Sequence, residues 1–173
     1  MATIVSPDDF EGEQNIPNTD ETPTANKVQW YIDEYEPQLL EALFGSTLYA
    51  DFIEGLTIDP IPQKWIDLRD NTDLKRAIIC YVFYYYVAAN INFLSGSNTV
   101  SQAKMENAIT GEVNAPMVLA WNTMVKRNVK VREFIAKGDY DTNYTDLPQY
   151  DWEWPFVNEC RPGIFVFKNT LNI

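Results

Sequence analysis

The sequence predicts a mainly α-helical fold: a helical bundle around a central apolar helix at about 73–94, with an extended N-terminal arm and a short C-terminal β-strand or hairpin. Three observations carry that expectation. Apolar residues recur at spacings of three and four from Val28 to Leu43, and Met117, Trp121, Met124, Val125, Val131 and Ile135 share one helical face. The run Leu74 to Leu94 is apolar on nearly every side, so the helix it forms must be enclosed by others. Near the end, Ile164-Phe165-Val166-Phe167 follows Pro162-Gly163 and reads as a strand that is apolar on both faces.

A chain of 173 residues fits one domain with a substantial core. It divides into an arm at 1–24, a helical bundle at 25–138 and an acidic aromatic tail at 139–173. The arm carries Pro7, Pro17 and Pro23 among polar residues, with isolated apolar anchors at Ile4, Val5, Phe10 and Ile16. Such a segment buries little by itself, so it is either disordered or laid along another surface. The bundle then opens at Asn26, which with Gln29 resembles a capping box, or at Thr22-Pro23. Pro37 either kinks this helix or begins a second. Gly45 stops it, Ser46 caps a short helix ending at Gly55, and Pro62 opens another with Trp65, Ile66 and Leu68.

Asp73 is placed to cap the central helix. The stretch Ser95 to Ala115 is polar, a loop or a weak hairpin, and Pro116 suits the first turn of a last helix ending near Lys137 and Gly138. On that helix Lys126, Lys130, Glu133 and Lys137 lie opposite the apolar face, whereas Asn128 and Arg132 fall inside it. A polar group on an apolar face needs a partner. Asn128 and Arg132 therefore point either to an internal salt bridge or to a contact across a subunit boundary. The strand needs one too, since a lone strand leaves its backbone unpaired. Its residues, with Trp152 and Trp154, join Phe10 and Ile16 as expected interface positions.

The chemistry excluded is as informative. There is no histidine, which removes the commonest general base and the commonest metal ligand. Cys80 lies in the most apolar stretch and reads as a core thiol; Cys160, beside Arg161, lacks a base. Two cysteines make no disulfide framework, which fits a reducing compartment. Asp139, Asp141 and Asn143 start like a calcium loop, but Tyr144 and Tyr150 stand where glycine and glutamate are required. Asp33, Glu34 and Glu36 read as a solvated acidic face. We therefore expect no catalytic residues, no cofactor and no metal, and a chain that is not an enzyme. Ala77–Ala89 is thirteen uncharged residues, short of the roughly 20 a membrane span needs, and the Tyr84–Tyr86 triplet runs through it, so no membrane partner is expected.

Net charge is −12, unevenly spread. Residues 1–26 carry six acids and no base, whereas 73–138 carry eight bases against four acids. An acidic chain repels nucleic acid, lets it slide past, or imitates it.

The order of elements is similar to a known type. Ile4-Val5-Ser-Pro-Asp-Asp-Phe10 leads into Ile16-Pro-Asn18. Then follow Tyr31-Ile32, Glu36, Leu39-Leu40-Glu-Ala-Leu-Phe-Gly45, Leu48-Tyr49, Phe52, Pro62, Trp65 and the tyrosine-rich helix from Leu74-Lys75 to Tyr85. This pattern over roughly 1–140 resembles head-to-tail connector (adaptor) proteins of tailed bacteriophages, particularly those infecting Bacteroidota. The resemblance implies a helical virion protein that assembles with copies of itself into a ring, commonly twelve-fold. Such a ring sits in the neck between capsid and tail, meets the portal protein and the next tail or stopper ring, and passes DNA only as cargo. Assembly in the host cytoplasm follows from it. Within the same stack, a tail-completion or stopper ring is an alternative. The rival from another class is a small acidic DNA mimic that inhibits a nucleic-acid enzyme; it needs acids at phosphate spacing on one face, and here they concentrate in arm, loops and tail.

Overall fold

The computed structural model describes residues 3–91, 93–94, 100–101, 114–138 and 140. The protein is mainly helical. Helix α1 spans Thr22–Gly55, with Pro23 in its first turn, where a missing N–H costs nothing. Of the two possible starts, Thr22-Pro23 is used and Asn26 lies inside the helix. Pro37 does not end it. The break comes at Gly45, whose φ of 75° and ψ of 165° suit glycine alone. The segment beyond it buries Leu48 and Phe52 and ends at Gly55.

Helix α2 (Gln63–Arg69) follows Pro62 and buries Trp65 and Leu68. Gly55 is required by this packing: a methyl group there would overlap the Trp65 indole. Helix α3 (Thr72–Ile91) is capped by Asn71, not by Asp73 as expected. The Asn71 Oδ1 accepts the N–H groups of Asp73 and Leu74, each at 3.0 Å, and satisfies two of the first-turn donors. Asp73 is thereby left to bind Arg127.

Helix α3 packs against α1, α2 and α4 (Asn114–Lys137). Residues of α1 and α3 meet low number to high: Tyr31 lies against Tyr86, and Tyr35 stacks on Tyr85 at 4.1 Å. These two helices are antiparallel. Tyr84 on Trp121 and Asp73 on Arg127 make α3 and α4 antiparallel as well. Consequently α1 and α4 run parallel to each other, and both pack on α3. After α3, Phe93–Leu94 (β1) pairs antiparallel with Val100–Ser101 (β2).

The six residues expected to share one face of α4 are all buried. Beyond Gly138, Tyr140 returns to the body: it is 4% exposed, its hydroxyl donates to the Lys64 carbonyl at 2.5 Å, and its ring faces Trp65 and Phe134. Tyr140 therefore belongs to the bundle core and not, as expected, to an acidic tail.

The arm also differs from expectation. Short 3-10 turns at Pro7–Asp9 and Gly12–Gln14 lay it first on α1, then on α3 and α4. Phe10 and Ile16, expected to reach a partner, are 1% and 2% exposed within their own chain. The reason is hydrophobic: with Val5 they complete the bundle core, so none of the three is available to a neighbour. Trp152, Trp154, Ile164, Phe165, Val166 and Phe167, and the calcium-like loop at 139–143 apart from Tyr140, lie outside the described residues. Among the described residues no helix is long and apolar enough to cross a membrane.

Candidate functional site

The arm is fastened to α1 by a buried carboxylate. Glu36 sits on the inward face of α1 and is only 4% exposed. Its carboxylate oxygens accept the backbone N–H groups of Ile4 at 2.8 Å and of Val5 at 3.2 Å. Two N–H donors that the arm would otherwise bury unpaired are satisfied, each charge-assisted bond contributing about 1.5–3 kcal/mol. Burial of the carboxyl pushes its pKa up to about 7, against the lowering effect of the two N–H donors, and the Asp33 charge nearby adds to the rise. The sequence reading of Asp33, Glu34 and Glu36 as one solvated face is corrected for Glu36. Asp33 and Glu34 are exposed as expected.

Beside this latch opens a cavity of about 360 Å³, lined by Ile4, Asp33, Glu36, Leu40, Tyr49 and Phe52 among others. Its wall mixes apolar side chains with the polar groups of Thr3, Asp33, Glu36 and Tyr49. The carboxyl of Glu36 commits both oxygens to the arm, so its chemistry here is structural: it holds Ile4 and Val5 against α1. No group of three potential metal ligands assembles among the described residues.

The far end of the arm meets α3 and α4. Glu13 pairs with Arg76 at 3.7 Å, and Gln14 is 1% exposed. Neither amide atom of Gln14 finds a hydrogen-bond partner among the described residues. Asn128, 7% exposed, donates from Nδ2 to the Met124 sulfur at 2.9 Å. Asn128 is therefore largely buried within its own chain, and its Oδ1 finds no hydrogen-bond partner among the described residues. Arg132 is half-buried beside it. Cys80 is fully buried and its thiol is pushed up to about 11 by that burial, the inert state expected for it.

What remains outward is charged and opposite in sign on the two outer helices. On α1, Glu34 and Glu41 are exposed beside Trp30, which is 57% exposed. On α4, Lys126, Lys130 and Lys137 are exposed beside Leu119, which is 46% exposed. Lys130 lies 3.9 Å from Asp73 and Lys137 lies 3.8 Å from Glu133. Sequence reasoning found the basic face and missed Trp30, whose position at helical spacing from Glu34 was the available signal. Comparison with protein-family models, with curated proteins and with solved structures finds no match to this chain.

Proposed function

We propose that the chain is a structural virion protein: a subunit of a head-to-tail connector ring that joins portal to tail and lines the DNA channel. One observation carries the reading. The residues on which the resemblance rests are the framework of the fold. Val5, Phe10 and Ile16 are the buried anchors of the arm, and Glu36 holds its first residues. Ile32, Leu39 and Leu40 form the inward face of α1, Gly45 its break, Trp65 the cover of Gly55, and Tyr81 and Tyr85 the junction of α1 with α3.

In this reading the rigid helical body is the ring segment, copies of the chain are its first partners, and the portal and the next ring are its neighbours above and below. Catalysis has no part in it. Acidic surface at the channel lets DNA pass without the phosphate contacts that would hold it. Place in the stack, adaptor or a later stopper or completion ring, depends on which partner is bound. Sedimentation of the purified chain with the portal protein from the same genome tests the reading. Co-sedimentation supports it; a chain that ignores the portal yet binds duplex DNA tightly, with steep loss in salt, contradicts it.

A further inference from the structure

The outward faces of α1 and α4 match each other in spacing as well as in charge. Trp30, Glu34 and Glu41 are separated by four and then seven residues, and so are Lys126, Lys130 and Lys137. At the helical rise of about 1.5 Å per residue both sets mark points about 6 and about 10.5 Å apart along their axes. All six side chains are exposed. Set against each other in parallel, they bring Lys126 over the face of Trp30, Glu34 to Lys130 and Glu41 to Lys137. The same register carries Leu119 to Pro23, both exposed. Glu133, the only acid in α4, falls opposite Pro37 and meets no like charge. An antiparallel setting keeps only the two ion pairs, crossed, and leaves Trp30 without a cation.

We propose that copies of this chain associate head to tail, the outward face of α1 in one copy lying parallel to the outward face of α4 in the next, with Trp30, Glu34 and Glu41 opposite Lys126, Lys130 and Lys137. The architecture favours this arrangement. Because α1 and α4 are parallel and both pack on α3, a rotation about an axis along the helices keeps them parallel and can set one copy's α1 beside the next copy's α4. That is a heterologous contact, which propagates into a ring or filament. A two-fold axis across the helices would reverse them and break the register. The existing contacts of Lys130 with Asp73 at 3.9 Å and of Lys137 with Glu133 at 3.8 Å are long and both lysines are exposed, so they yield to an interface that also covers Trp30 and Leu119. Closure of the contact into a ring rests on the connector reading above; the pairing of the two faces rests on their geometry.

Disulfide cross-linking tests it in a Cys160→Ser background at low salt. Glu34→Cys with Lys130→Cys in one chain is expected to give a ladder of dimer, trimer and higher species on oxidation. The two single variants mixed are expected to stop at dimers, and each alone to stay monomeric. Glu34→Cys with Lys137→Cys, the antiparallel combination, is expected to give no ladder. Adding Lys126→Glu should suppress the ladder, and circular dichroism checks that the helices are intact. Absence of the first ladder, self-linking of either single variant, or a stronger ladder from the second pair overturns the proposal. A ladder from a protein that ignores the portal leaves the pairing standing and removes the connector; portal-bound rings without the ladder do the reverse.

Discussion

The carboxylate of Glu36 accepts the backbone N–H of Ile4 at 2.8 Å, a bond that closes 32 residues of chain and fixes where the arm begins its path. Replacement by alanine takes their acceptor from the N–H groups of Ile4 and Val5. The expected cost is on the order of 2–4 kcal/mol, with the arm released. Limited proteolysis reads it directly: cleavage before Asn15 accelerates in Glu36→Ala while the helical core stays resistant.

The same residue sets a pH dependence. A carboxyl raised from 4.5 to about 7 binds its proton more tightly in the folded state than in the unfolded. The stability it contributes is full below about pH 4.5 and is lost as pH rises through 7, a change on the order of 3 kcal/mol. Asp33 and Tyr49 are the other titratable groups on the cavity wall. Denaturant titrations of the natural chain and of Glu36→Gln, taken across this range, should diverge as pH rises; parallel curves contradict the assignment.

Phe10 tests whether the arm is core or appendage. Phe10→Ala removes a ring that is 1% exposed and is expected to cost about 3 kcal/mol, seen as a lower denaturation midpoint with an unchanged slope. An arm that merely rests on the surface would give a change below about 0.5 kcal/mol.

Two glycines carry separate demands. Gly45→Ala forces a side chain into a positive-φ conformation, at about 1–3 kcal/mol. Gly55→Ala drives a methyl into the Trp65 ring, an overpacking cost of about 1–3 kcal/mol. Tryptophan fluorescence separates them, since only the second displaces Trp65.

The sequence and the structure agree most where a short-range signal exists. The spacing from Met117 to Ile135, the break at Gly45, the end at Gly55 and the short helix after Pro62 are all local patterns, each decided by side chains a turn or two apart. What was misread depends on contacts distant in the chain. Glu36 looked like its neighbours Asp33 and Glu34 because its donors, Ile4 and Val5, lie in a segment without periodicity. Phe10 and Ile16 looked like partner anchors for the same reason: an irregular segment does not declare which surface it covers. Asn71 outcompeted Asp73 as a cap because Asp73 is engaged by Arg127, 54 residues away. Trp152, Trp154 and the strand at 164–167 lie outside the described residues, where the expectation from sequence stands as a proposal.

The connector reading is tested most directly by negative-stain electron microscopy of the protein alone and mixed with the portal protein from the same genome. The account predicts rings, free or capping the portal. Dispersed single subunits in both samples would contradict it.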